Sequence, residues 1–510
     1  DMAITKVTSD LLNSTALTSK AFGTSSIMIG DDATGTIDAA NNNVGLGVDV
    51  FAALTSGDDN VAIGKSALNA NTTGIRNTAV GKDAGLSVTT GDDNTFIGQD
   101  SGDAVTTAHD NTAVGSYSLT NNTTGASNVA IGYSALESNT TAANNTAVGY
   151  QSLLSNTTGQ YNVAVGYLAL DANTTANANT ALGNETLSAN TTGTANTAVG
   201  ASALGVNTTA SNNTAVGYSA LIANTTGHSH VAVGKNALNT NTTGNYNVAI
   251  GTDVLDANTT GGSNVAIGDS ALGSNTTANQ NTAVGVNAMA ANTTGAFNTA
   301  VGCNTLDANT TASANTVVGY NGLTANTTGS SQTAVGFGAL DSNTTGSNNT
   351  AMGRDALTGN TTADLNTAFG YLALQTNTTG TSNTAVGANA GDSVTTGGYN
   401  VLLGLEAGAH DVNLTTGVRN ILVGAFTDTT TASTNEATAI GYNVSGEGGY
   451  TTVGEGTNDI RAAHGVATWN TVSDERVKKD IEDSTVGLSF INDLRPVTFN
   501  YKNKGDLPTE

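Results

Sequence analysis

Cysteine and proline are nearly missing: Cys303 stands alone and there are two prolines in 510 residues. A lone cysteine forbids an intrachain disulfide and reports no redox compartment; following a repeat glycine, it reads as a tolerated small residue. So little proline, with no G-X-Y period among 62 glycines, excludes a collagen triple helix. Positive charge is also scarce, with 15 Lys and Arg against 40 Asp and Glu and a net charge of −25. Only eight of those cations precede residue 460, so most of the chain lacks the basic stripe that phosphate binding needs, and no nucleic-acid partner is expected. No apolar run is long enough to span a bilayer, and the opening DMAITKVTSDLLNSTAL has no basic and then apolar leader, so neither Sec export nor membrane insertion is expected.

What the sequence has in abundance is itself. The unit N-[TV]-A-[VI]-G-x-x-A-L-x-x-N-T-T-G-x-x recurs every 17 residues from Ser26 to Asn400, and three further units begin at Asn420, Ala437 and Tyr450. Its fifth position is glycine in all 26 units, from Gly30 to Gly454. A stretch such as Asn128-Val129-Ala130-Ile131-Gly132 predicts a five-residue strand whose second and fourth residues share the apolar, inward face, with the small alanine opposite. Glycine then supplies the positive φ and close backbone approach of a corner. The ninth position, leucine from Leu119 to Leu374 except for Met289, forms a second apolar row.

A 17-residue unit is too short for a β-α unit that closes on itself, and no 3.6-residue apolar period runs through it. The expectation is therefore an all-β parallel β-solenoid of about 26 coils, a rod of roughly 120 Å at ~4.8 Å per coil. Each coil has a thin core, so no single repeat is expected to fold alone. The Asn-Thr-Thr triplet, present seventeen times from Asn71 to Asn377, reads as stacked turns bonded to local backbone and to the next coil. Each triplet also matches an N-glycosylation acceptor, and threonine arrays can present an ice-binding face; the turn position of these pairs argues for the structural role. Variant coils at Val88, Val105 and Val394 replace the leucine by glycine and the asparagine by valine, as expected of repeats near the ends of an array.

Candidate chemistry in the repeats is thin. Acidic residues such as Asp58, Asp59, Asp92 and Asp93 lie in GDDN turns, where capping is expected rather than the facing carboxylate pair of a glycosidase. His228 and His230 have no third ligand nearby and read as exposed turn residues, so neither metal nor cofactor is expected. Tyrosines after the glycine, including Tyr133, Tyr150, Tyr167, Tyr218, Tyr320 and Tyr371, read as an aromatic row packing neighbouring coils or chains. Tyr450 and Trp469, near the far end, are candidate receptor contacts.

The NVAIG and NTAVG strands resemble the head repeats of trimeric autotransporter adhesins of the YadA type, at a longer period. That resemblance implies a β-roll in which three chains associate side by side. Past residue 460 the composition changes. Leu488, Ile491 and Leu494 share a helical face ended by Pro496, and Val497, Phe499 and Tyr501 alternate as in a strand, which opens a small α+β unit. There Ser473, Asp474, Arg476, Val477, Lys478 and Ile481, followed by Leu494, Pro496, Val497 and Phe499, resemble the endosialidase-type C-terminal intramolecular chaperone of phage tail fibres and tailspikes. The resemblance implies a domain that trimerises the chains and cuts itself off, with Ser473 as nucleophile and Lys478 as its base. A serine hydroxyl needs such a base, and a lysine serves only where burial lowers its pKa; the alternative is a helix N-cap serine and a solvated lysine.

The sequence thus leads to a homotrimeric phage tail fibre assembled in the host cytoplasm and carried on the virion tail. Residues 1–25 would attach to a baseplate or adaptor protein, 26–455 form the shaft, 456–472 the distal transition, and 473–510 the beginning of the chaperone. The fibre would support binding to a host-surface polysaccharide or protein receptor and perform no turnover chemistry beyond self-cleavage. A bacterial trimeric surface adhesin is the runner-up, and a tailspike polysaccharide depolymerase the third reading.

Overall fold

Three residues of most repeats, rather than five, make the strand, as at Val129–Ile131 and Thr214–Val216; strands of four to six residues occur toward the two ends. The computed structural model describes residues 18–20, 26–30 and 39–471. Within them each strand pairs in parallel with the equivalent strand one repeat later, so that Val163 faces Thr180 and Ala164 faces Ala181. This pairing continues without a change of register from Ile27–Gly30 to Tyr450–Glu455, making a parallel β-solenoid with no helix among the described residues. Stacking extends around the whole coil: Gly217 N donates to Val199 O at 2.8 Å, Leu221 N to Ala237 O at 3.0 Å and Thr225 N to Thr242 O at 3.1 Å. Backbone groups that a lone coil would leave unpaired are therefore satisfied by its neighbours, which is why the repeat needs copies of itself.

The fifth-position glycine behaves as its sequence context predicts. At Gly217 φ is +138°, and a Cβ there would lie 2.4 Å from Gly234 O in the next coil, a backbone atom unable to move aside. The strand's facing is the reverse of expectation. The third-position alanines, such as Ala130, Ala147 and Ala215, are fully buried, whereas Val163 and Ile131 are each 39% exposed. The reason is room. The interior of a 17-residue coil already holds the ninth-position leucine, so the facing strand can offer only a methyl group, and the larger residues point out.

That leucine enters the core in the left-handed backbone region, with φ of 53° at Leu221 and 54° at Leu136. The conformation costs a residue with a Cβ roughly 1–2 kcal/mol, against about 2 kcal/mol gained by burying the side chain. The margin from apolar burial is small. The rest comes from two buried asparagine rows. Asn213 N donates to Asn196 Oδ1 at 3.0 Å and Asn213 Nδ2 to Gly227 O at 3.1 Å. Asn224 Nδ2 reaches Asn207 Oδ1 at 3.0 Å and Gly227 O at 2.8 Å. The Asn-Thr-Thr turns are stacked as expected, with Thr225 Oγ1 donating to Thr242 O at 3.0 Å, but their asparagines are core residues. The amide of each acceptor-like triplet is consequently inside the rod, out of reach of a glycan.

Variant coils are explained by volume rather than by position near an end. Phe96 takes the alanine's place in the strand and is fully buried; a Cβ on Gly85 would lie 2.8 Å from its ring, and one on Gly102 2.3 Å. Leu402 plays the same part, 2.4 Å from a Cβ on Gly391. The exchange also runs the other way: Phe51 stands at the leucine position, with Gly45 at the alanine position. Each of these coils is stacked on both sides, as Ala79, Phe96 and Ala113 in consecutive register show.

At the far end the parallel stack gives way to antiparallel pairing. Tyr450–Glu455, the last parallel strand, turns back as Asn458–Ala463, which then pairs with Asn470–Thr471. Thr18–Lys20 is likewise antiparallel to Ile27–Gly30 at the other end.

Candidate functional site

The outward side of the strands is the most continuous functional feature. Alternation puts the second and fourth positions outside: the fourth is a continuous row of Val, Ile, Leu, Met and Phe along the rod, whereas the second is mostly threonine and the residue after the glycine varies from Tyr to Lys and Asp. Ile131, Leu182, Ile250, Ile267, Val318 and Phe369 belong to the fourth-position row, each at least 37% exposed. So long an outward aliphatic row is a candidate interaction surface on a folded protein. The tyrosine row is formed in part as expected. Tyr133 and Tyr150 stack at 5.4 Å, as do Tyr150 and Tyr167, and Tyr117 meets Tyr133 edge-on at 5.8 Å. Tyr320 stacks on Phe337 at 5.4 Å, and the Arg354 guanidinium lies 5.9 Å from the Tyr371 ring centre. Tyr218, 61% exposed, has no ring partner among the described residues.

Tyr450 and Trp469 do not form one aromatic site. Tyr450 is half-buried beneath Arg461, whose guanidinium is 5.0 Å from the ring centre and also pairs with Glu447. Trp469 is 52% exposed and has no ring partner among the described residues. Ser473 and Lys478 lie outside the described residues.

The acidic turns act as caps. Asp58 Oδ1 accepts from Asn41 N at 2.6 Å, Asp92 Oδ1 from Ile75 N at 2.8 Å and Asp59 Oδ1 from Asn42 Nδ2 at 3.0 Å. Asp93 accepts from Arg76 Nε at 2.6 Å and Nη2 at 2.7 Å. A different carboxylate is perturbed: burial, reinforced by the charge of Asp100, pushes Asp103 up to about 6. Lys82 sits between Asp83 and Asp100, 3.8 Å from the latter. Burial likewise raises Asp171, Asp256, Asp307, Asp341 and Asp392, which occupy the same repeat position in separated coils. They are isolated along the rod. Among the described residues no three His, Cys, Asp or Glu side chains gather to hold a metal ion.

His228 and His230 part company. His228 is half-buried, with its ring edge-on to Tyr246 at 4.9 Å. His230 is only 1% exposed, a correction to its expected turn role, because it occupies the first-position asparagine row. Its N–H donates to Asn213 Oδ1 at 3.0 Å, and its Nδ1 accepts from Asn247 N at 3.2 Å. Burial depresses its pKa to about 4. Alignment of the repeats carried that signal, since residue 230 falls where asparagine stands in adjacent units.

The C-terminal residues 473–510 match the model of the family described as "Chaperone of endosialidase". Neither a curated protein nor a solved structure matches the chain.

Proposed function

We propose that this chain is one subunit of a homotrimeric phage tail fibre: residues 1–25 bind a baseplate or adaptor, 26–455 form the shaft, 456–472 the distal end, and 473–510 open an intramolecular chaperone. The observation that carries the proposal is a single uninterrupted parallel solenoid leading toward residues that match the endosialidase chaperone. Such a combination fits a tail-fibre or tailspike-like protein. The outward aliphatic band supports trimerisation, because another copy of the chain presents the same residues at the same spacing along the full length. A repeat this uniform can slip by one coil at small cost, so a clamp at one end fixes the register. The YadA-type resemblance of the strands accords with three chains lying side by side.

In the same proposal Ser473 Oγ attacks the adjoining peptide carbonyl while Lys478 takes its proton; that proton passes to the leaving amine as the peptide C–N bond breaks, and water hydrolyses the resulting ester, releasing the chaperone once. The fibre then supports attachment to a polysaccharide or protein on the host surface, with Tyr450 and Trp469 as contacts near its tip.

Labelled antibody against the repeat, imaged on the parent particle, tests the role. Decoration of the tail is expected; decoration of a bacterial envelope would replace the fibre with a surface adhesin. Sedimentation of the full gene product should give three times the chain mass. Identical masses for the wild type and Ser473→Ala after expression would remove the self-cleavage step.

A further inference from the structure

One groove on the flank of the rod is opened by a missing side chain. In many coils the side-chain oxygen at the sixteenth repeat position caps the backbone N–H of the equivalent residue one coil earlier. Thus Ser211 Oγ accepts from Thr194 N at 3.0 Å, Asn245 Oδ1 from His228 N at 2.9 Å and Asn279 Oδ1 from Gly262 N at 2.6 Å. At residue 262 the side chain is missing. A Cβ there would stand 3.0 Å from Asn245 O and 3.5 Å from Asn245 N, so the glycine opens a notch beside the Asn245 N–H, which, like the Asn279 N–H two coils on, has no protein acceptor among the described residues. The notch belongs to a groove of about 380 Å³ lined by Asn245, Tyr246, Gly262, Ser263, Asn279 and Gln280.

The groove's chemistry is specific. Tyr246 is 60% exposed and is braced edge-on by His228 at 4.9 Å. The amide oxygens of Asn245 and Asn279 are engaged by backbone N–H groups, which leaves their Nδ2 groups as donors for a ligand. Ser263 and Gln280 add a hydroxyl and a third amide, and no charged side chain lines the groove in a chain of net charge −25. Gly398 is at the same repeat position, but the coil before it carries Ser382 where the coil before Gly262 carries Tyr246.

We infer that this groove binds a sugar unit of an uncharged glycan, one face of the ring against Tyr246 and its hydroxyls on the Asn245 N–H and the Asn245 and Asn279 amides. A pyranose matches because it pairs an apolar C–H face with several hydroxyls, whereas a phosphate or an acidic sugar would find no cation here. The inference deepens the fibre proposal and rests on it for biological setting only; the binding chemistry does not depend on where the protein is carried.

The test is an array of uncharged hexose and N-acetylhexosamine oligosaccharides probed with the purified full chain. At least one glycan should be bound by the wild type, and Tyr246→Ala should weaken that binding tenfold or more. Gly262→Ser supplies a hydroxyl to cap Asn245 N as Ser211 caps Thr194; it should lower binding as strongly while the melting temperature stays level or rises. Tyr161→Ala, at the same repeat position as Tyr246 but away from the notch, should bind as the wild type does. An array with no bound glycan, or binding indifferent to both groove variants, overturns the inference. Tail decoration with no glycan bound would leave the fibre role standing without this groove; glycan binding by a protein absent from the tail would do the reverse.

Discussion

Coils of the uniform block, residues 111–382, and the coils around Phe96 reach the same stacked register with different interiors. In the former an alanine on the strand faces a leucine from the turn; in the latter a phenylalanine on the strand reaches across to glycines at 85 and 102. What is held constant is the filled volume between strand and turn, not the residue at either position. Small-and-large pairing is the rule by which a close-packed interior accepts variation.

Breaking that comparison at its shared element has the largest expected effect. Gly217→Leu places a side chain against Gly234 O in either kind of coil, and should cost on the order of 4 kcal/mol or more. Amide hydrogen exchange should show opening centred on the neighbouring coils, since a solenoid yields locally.

Next come exchanges between the two interiors. Phe96→Ala should cost about 3–5 kcal/mol in denaturant unfolding, and adding Gly85→Leu with Gly102→Leu should recover more than half of it. Conversely, Ala130→Phe in the uniform block should destabilise by roughly 1–3 kcal/mol, while the same change with Leu119→Gly and Leu136→Gly should be tolerated. If the compensated triples were as unstable as the single changes, pairing by volume would be the wrong lesson.

His230 sharpens the comparison for the polar rows. Its folded pKa of about 4 lies below the ordinary histidine value of 6.5, so between these pH values the unfolded chain binds a proton that the folded chain does not. Stability is therefore unaffected by this group above about 6.5, falls as pH drops toward 4, and loses on the order of 3 kcal/mol in all. Protonation would also turn Nδ1 from an acceptor into a donor facing the Asn247 N–H. His230→Asn should remove most of this slope in thermal melts between pH 7 and 4.

The last pair of changes, one in the second polar row and one exposed beside it, ends on the smallest effect. Asn224→Val copies what Val88 and Val105 do in the variant coils, and should cost about 1–3 kcal/mol because the neighbouring asparagine loses its Oδ1 acceptor. Thr226→Ala, exposed beside it, should change stability by no more than about 0.5 kcal/mol in the same melts.

Much of the architecture was legible because it is periodic. An invariant glycine at the fifth position of every repeat and apolar residues in constant phase leave few arrangements besides stacked coils, and the glycine's tolerance of positive φ and close approach follows from its lack of a Cβ. Residues such as Asn213 were harder to place, since a polar side chain signals surface until a row of copies is seen to bond one to the next.

The sequence by itself determined the period, the parallel register and the corner, because each is a property of one repeat multiplied. Tertiary structure decided which side of the strand is inside. Alternation defines two faces without ranking them, and only the width of the closed coil, with leucine already in it, shows that alanine fits within and isoleucine must face out. It also decided the fates of His230 and Gly262: one is buried in an amide row and the other opens a groove, because both depend on the coils above and below rather than on local neighbours in the chain.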